Sequence, residues 1–182
     1  MAGNLIKVDE FEISSNVGSV ILGGGSNGSS GLNASIDSTF DVYVVRFTNL
    51  KCNYDTSMTY LRVTTSGTPD TSNNYDRAHT VLWSANTFAD VYTQNGSYWG
   101  YNQNGTGTGE SQNGIMYLFD FASSSEYSFY TLESTEKIAS GALQGIGGGG
   151  VHTVGQACDG LQFYTSDGNY TSGKFALYGI KK

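Results

Sequence analysis

Hydrophobic and polar residues alternate with a period of two along most of this chain, which is the spacing of β-strands. The segment Phe40–Phe47 is rich in β-branched and aromatic residues on both faces, as is typical of a strand buried between two layers. In Met58–Thr64, by contrast, Thr59, Leu61 and Val63 share one face and more polar residues share the other. The same pattern predicts further strands at 20–22, 75–83, 115–121, 126–136, 161–164 and 174–180.

Glycine-rich and polar stretches separate these strands and indicate turns. The chain has 25 glycines and one proline. Residues 23–31 and the glycine-dense stretch 141–150 are predicted as loops, and 94–114 as a long loop or a glycine-punctuated hairpin. The run Gly145–Gly150 matches Gly-x-Gly-x-x-Gly, but no strand precedes it and no helix follows it, so we reject a dinucleotide site. A helical turn is compatible with the pattern only at 85–90.

About eight to ten strands without a convincing helix predict one all-β domain spanning residues 1–182. The expected architecture is an antiparallel two-sheet β-sandwich that is jelly-roll-like. Only 38% of residues are hydrophobic and 14% are charged, but 13% are aromatic. These rings can bury enough apolar surface to offset the entropy lost on folding, so disorder is not expected.

The net charge of −7 excludes two classes of partner. Nucleic acid and anionic membranes both require a basic face, and the nine Lys and Arg residues are scattered along the chain. No signal peptide or membrane span is recognisable, which predicts synthesis and folding in the cytoplasm. Cys52 and Cys158 could form one disulfide bond, or they could remain two partly buried thiols.

The sequence contains only weak candidates for catalytic residues. His79 and His152 stand outside metal-ligand spacing, and no motif orients His152 toward Cys158. Glu133 and Glu136 could form the carboxylate pair of a glycosidase only if the fold brought them to one cleft. We therefore expect neither catalytic activity nor a metal or cofactor.

The aromatic segment within 94–114 is the best candidate for binding. Tyr98, Trp99 and Tyr101 lie among small polar residues. Exposed rings of this kind can stack on sugars or form a protein interface, but such rings can also pack inward. The sequence leaves these three alternatives open.

The C-terminal segment Asp159–Ile180 resembles a recurrent ending of small structural proteins of marine bacteriophages. The resemblance extends to further segments of the chain, although it is patchy between about 80 and 115. These segments are the strand Phe40–Phe47 followed by Asn49, the Leu-Arg-Val strand at 61–63, the Ser-Gly turn at 66–67, the Asn-Tyr pair at 74–75 and the glycine-rich run before the C-terminal hairpin. The resemblance implies a virion component with a jelly-roll-like sandwich, and it carries no catalytic or ligand-binding residues.

These observations predict a non-enzymatic virion structural protein, either a capsid decoration (cement) protein or a head-fibre protein. The alternative is a tail-fibre or receptor-binding module that recognises host glycans through Tyr98, Trp99 and Tyr101. The expected partners are other virion proteins and further copies of this chain, with a trimer as the first expectation.

Overall fold

The computed structural model describes residues 4–24, 35–85 and 87–180, so most of the loop predicted at 23–31 lies outside the described residues. Within these ranges the chain forms thirteen strands and no helix. The strands are β1 Leu5–Ile13, β2 Ser19–Gly23, β3 Val42–Cys52, β4 Ser57–Thr65, β5 Thr68–Pro69, β6 Tyr75–Trp83, β7 Thr87–Gly96, β8 Trp99–Asn104, β9 Gln112–Phe119, β10 Ser128–Lys137, β11 Leu143–His152, β12 Gly160–Thr165 and β13 Tyr170–Ile180. The described part of the chain therefore contains no helix that could span a membrane.

The strands form two antiparallel sheets, so the predicted all-β sandwich is confirmed. The large sheet has eight strands in the order β1-β13-β3-β9-β10-β11-β6-β7. The small sheet has the order β2-β12-β4-β5, and β8 also pairs with β4. Aromatic side chains from both sheets meet between them, for example Phe163 of β12 and Phe175 of β13, whose ring centroids are 4.7 Å apart.

Eight of the strands have jelly-roll topology. When β5, β6, β7, β10 and β11 are set aside, the remaining orders are β1-β13-β3-β9 and β2-β12-β4-β8. The first of these eight strands thus pairs with the last, and the second with the seventh, which is the arrangement of two nested Greek keys. The connection from β4 to β8 contains β5, β6 and β7, and the connection from β9 to β12 contains β10 and β11.

Four of the inserted strands widen the large sheet beyond its jelly-roll half. We call β6, β7, β10 and β11 the extension. It adds to the free side of β9 through the β9–β10 pairing. The prediction of eight to ten strands was too low, because the sequence pattern does not show insertions of this kind.

Strands occupy most of the stretch 141–150, predicted as a loop, and part of 94–114, predicted as a long loop or a glycine-punctuated hairpin. The glycine-dense stretch lies mostly within β11, whose backbone pairs with β10 on one side and β6 on the other. The segment 94–114 includes all of β8, which pairs with β4. A helical turn at 85–90 was wrong, since β7 begins at Thr87 and pairs with β6 as a hairpin.

Candidate binding face of the sheet extension

The two glutamates considered for glycosidase chemistry cannot share a cleft. The burial of β10 alternates strictly along the strand, so that even-numbered residues face the small sheet and odd-numbered residues face away. Glu136 is buried on the inner face and accepts a 3.4 Å hydrogen bond from Nε2 of Gln112. Glu133 is exposed on the outer face, so the sheet itself separates the two carboxylates.

The cysteine and histidine candidates are placed as structural side chains. Nε2 of the fully buried His152 is 2.8 Å from Oδ2 of Asp70. Cys158 is a free buried thiol that contacts Oγ of Ser128 at 3.6 Å. Burial raises the pKa of Cys158 to about 11, and a protonated thiol is a poor nucleophile. Cys52 is also free and buried, so the disulfide alternative is wrong.

The aromatic candidates are divided between the core and its rim. Trp99 and Tyr101 are both fully buried, so inward packing is correct for these two and an exposed sugar platform is wrong. Nε1 of Trp99 donates to the carbonyl oxygens of Asp76 at 3.0 Å and Val151 at 3.2 Å. Tyr98 is only partly buried and stacks on Tyr60 with ring centroids 4.0 Å apart. The polar composition of the segment concealed an ordinary strand with buried rings.

Trp99 fixes the extension to the small sheet. Its indole packs edge-on to Tyr75 of β6 at 5.1 Å and against Tyr130 of β10 at 4.7 Å between ring centroids. Both tyrosines belong to the extension, whereas Trp99 belongs to β8. Burial raises the pKa of both phenols, so they remain neutral in this core. Packing around Trp99 therefore holds the inner face of the extension against the small sheet.

The outer face of the extension is apolar and exposed. Among the described residues ten large hydrophobic side chains are exposed, and five of them are in the extension. These five are Leu82 of β6, Phe88 and Tyr92 of β7, Phe129 of β10 and Leu143 of β11. The strand registers place all five on the side that faces away from the small sheet. Five exposed apolar side chains on one side of four neighbouring strands make this face the candidate functional site.

A glycine floor runs along the middle of this face. Gly145, Gly147 and Gly149 of β11 point outward between the side chains of β10 and β6. The result is a shallow trough, which includes a depression of about 600 Å³ lined by Tyr92, Phe129 and other residues. A second depression of about 560 Å³ is lined by Leu82 and Gly147, among other residues.

Glycine is not required for the same reason at every position of β11. A Cβ at Gly150 would lie 2.6 Å from Cε1 of Tyr130 and 2.9 Å from Nε1 of Trp99, so internal packing requires glycine there. At Gly147 a Cβ would meet no atom within 4 Å, and at Gly145 it would make only ordinary contacts. The packing of the chain itself therefore does not explain the absence of side chains from this part of the trough.

Charge on the outer face is sparse and mostly acidic. Asp90 accepts a 3.0 Å hydrogen bond from the hydroxyl of Thr80, and Asp76 accepts one of 2.7 Å from the amide of Asn95. Glu133 lies on the other side of the trough, and Lys137 is at the end of β10. This arrangement does not favour an anionic ligand, because no group of cations faces the trough in the described part of the chain.

Comparison of the chain with protein-family models, with curated proteins and with solved structures gave no match. Nor do the described residues contain a cluster of three or more His, Cys, Asp or Glu side chains suited to a metal ion. The function must therefore be argued from the fold and from this face. Sequence reasoning missed the face, although Phe88 and Tyr92, four residues apart, would share one face of a strand.

Proposed function

We propose that the protein is a non-enzymatic virion structural protein of a bacteriophage, of the capsid decoration or head-fibre type. The jelly roll is a recurrent fold of viral capsid proteins, but it also occurs in lectins and in enzymes. The fold therefore permits this role without specifying it. The resemblance of Asp159–Ile180 and other segments to phage structural proteins is the second support.

The observation that carries the proposal is the apolar outer face of the extension. Phe88 and Tyr92 are 78% and 80% exposed, and Leu82 is 55% exposed. Burying such side chains against a partner stabilises a complex by roughly 25 cal/mol per Å² of apolar surface. The face thus fits a protein that works by docking onto a neighbouring virion protein. Further copies of the chain, in a trimer or another oligomer, are the other proposed partners.

The test is the association of single-residue variants with phage particles. Leu82→Ser and Phe129→Ser place polar groups on the proposed docking face, and we expect each to lower the amount of chain that sediments with the particle at least tenfold. Tyr54→Ser is the matched control, since Tyr54 is 55% exposed, as Leu82 is, but lies outside the extension. Equal sedimentation of all three variants and the wild type would contradict the proposed docking face. Absence of the wild-type chain from purified particles would contradict the virion role.

A receptor-binding module for host glycans is the second candidate. One observation favours it: Tyr92 and Phe129 line the same depression and are both exposed. A sugar could lie against either ring of this depression. A glycan array probed with wild type and Tyr92→Ala would test this, with Tyr98→Ala as the control for the originally predicted segment. Equal signals for wild type and Tyr92→Ala would exclude the depression as a sugar site.

A further inference from the structure

The two edges of the large sheet differ in how they are protected against pairing with another strand. An edge strand presents unpaired backbone N–H and C=O groups, and charges or bulges on that strand discourage pairing. The edge strand β1 has both devices. Lys7, Asp9, Glu10 and Glu12 provide four charges in nine residues, and the register with β13 shifts between Lys7 and Asp9. Two exposed apolar residues, Leu5 and Ile6, lie only at its start.

The opposite edge strand, β7, lacks these devices along most of its length. Its ten residues contain one charge, Asp90, and no proline. The register with β6 is regular from Thr87 to Thr93 and shifts only beyond that point. No other described strand pairs with the second side of β7. Its side chains include Phe88 and Tyr92, the two most exposed large hydrophobic side chains of the described residues. A long, regular and weakly charged edge of this kind is suited to pairing.

We propose that β7 pairs antiparallel with β7 of a second copy of this chain. The pairing would join two eight-stranded sheets across a twofold axis. An axis perpendicular to the sheet keeps the outer faces of both extensions on the same side, so that the aromatic side chains of the two copies form one continuous surface. A second copy fits because identical strands supply matching lengths of unpaired backbone.

Asp90 determines the register of this pairing. If Asp90 lay opposite its own counterpart, two like charges would face each other, which is unfavourable in an antiparallel pair. A shift by one residue places Val91 opposite itself, and Tyr92 opposite Asp90, where the phenol can donate to the carboxylate. The opposite shift places Phe88 opposite Asp90, where no such hydrogen bond can form. Among these three registers, the one centred on Val91 is favoured.

This pairing is independent of the proposed virion role and of the trimer expected from the sequence. An antiparallel contact between identical strands has twofold symmetry, so by itself it produces a dimer. In an assembly built on trimers it would join one trimer to another. A purely trimeric protein would leave β7 unpaired.

Disulfide cross-linking of the full-length chain tests both the contact and its register. Residues directly opposite each other in an antiparallel pair have Cα atoms about 4.5–5.5 Å apart, within the range that a disulfide requires. The native thiols are both buried, so an introduced cysteine is the accessible one. Under mild oxidation we expect Val91→Cys to form a covalent dimer at least five times faster than either control. The controls are Leu82→Cys, one strand further from the axis, and Ala89→Cys, which would lie opposite Thr93.

The possible outcomes test the register and the contact independently. Cross-linking at Ala89 instead of Val91 would overturn the register, and equal cross-linking at Leu82 would overturn the specific contact. Sedimentation of the unmodified wild type provides a readout that does not depend on the folding of any variant. A concentration-dependent dimer supports the proposal, and a monomer or a trimer at every concentration overturns it. We also expect Asp90→Asn to slow cross-linking at Val91, because the register centred on residue 90 becomes available.

Discussion

The large sheet consists of a jelly-roll half (β1, β13, β3 and β9) and the extension. Both halves bury the side that faces the small sheet, but their outer sides differ. In the jelly-roll half, the outer side carries ion pairs, such as Lys7 with Glu10 at 2.8 Å and Lys174 with Glu10 at 3.4 Å. In the extension, the corresponding side carries Phe88, Tyr92 and other exposed apolar residues above a glycine floor. A charged surface is suited to water, whereas an apolar one is suited to a partner. The insertions, rather than the jelly-roll body, therefore provide the candidate binding face.

The inner sides differ as well. Phenylalanine rings fill the space between the sheets in the jelly-roll half, where Phe47 and Phe175 have centroids 6.4 Å apart. The extension instead relies on Trp99, supplied by β8, and on buried polar side chains such as His79 and Gln144. The Trp99 indole thus links the extension to the small sheet through Tyr75 and Tyr130, and its loss should destabilise the extension more than changes on the outer face.

The largest expected effect is that of removing this anchor. Trp99→Ala deletes a fully buried indole and its two hydrogen bonds, and we expect a loss of about 3–5 kcal/mol in the free energy of unfolding. Phe163→Ala, in the jelly-roll core, should cost a comparable amount. Chemical denaturation measures both losses, and amide hydrogen exchange separates them. The extension should lose protection selectively in Trp99→Ala, and uniform loss across both halves would contradict its role as an anchor.

The next effect distinguishes the two kinds of glycine in β11. Gly150→Ala pushes a methyl group into Tyr130 and Trp99, and overpacking of this kind costs about 1–3 kcal/mol. Gly147→Ala points into open space, so stability should stay the same or rise by up to about 1 kcal/mol. Thermal or chemical unfolding of the two variants provides the comparison. A Gly147→Ala protein as unstable as Gly150→Ala would mean that the trough floor is required for folding.

A pH dependence should arise in the extension from His79. Burial, followed by the positive charge of Arg77, lowers the pKa of His79 from 6.5 to about 4. The unfolded chain therefore takes up a proton between pH 6.5 and about 4 that the folded chain does not, so stability falls as pH falls through this window. We expect this to contribute roughly 1–2 kcal/mol, discounted for partial solvation. Chemical denaturation across this window should show that the free energy of unfolding depends less on pH in His79→Leu than in the wild type. An unchanged pH dependence would exclude His79 as the source.

The smallest effect on stability should come from the outer face. Phe88→Ser changes a side chain that is 78% exposed, so the free energy of unfolding should change by less than about 0.5 kcal/mol. The same change should weaken binding of the chain to the phage particle, because Phe88 belongs to the face proposed to dock there. Unfolding and particle-binding assays on the same protein preparation would reveal the contrast. A large loss of stability would show instead that Phe88 is part of the folded core.

The sequence pattern was sufficient for strands with side chains that alternate in polarity. The prediction of a strand over 75–83 coincides with β6, and strands β3, β4, β12 and β13 lie close to their predicted positions. Glycine has no side chain to show alternation, so β11 was mistaken for a loop. The backbone hydrogen bonds that hold β11 between β10 and β6 depend on distant segments, which a local pattern does not contain.

The candidate site was harder to predict than the fold. Trp99 and Tyr101 are two residues apart and Phe88 and Tyr92 are four residues apart, so each pair would share one face of a strand. Alternation identifies a strand with two different faces, but it does not show which face another layer covers. That depends on the position of the strand in the fold, since one face of β8 packs against the large sheet through Trp99, whereas β7 lies at the edge of the extension.

An electron cryo-microscopy map of a virion that carries this chain shows directly whether the outer face of the extension docks onto a neighbour in the particle. We expect jelly-roll density on the capsid, with Leu82, Phe88 and Phe129 buried against an adjacent subunit. Density for the chain with this face open to solvent, or particles that lack the chain, would contradict the proposed docking.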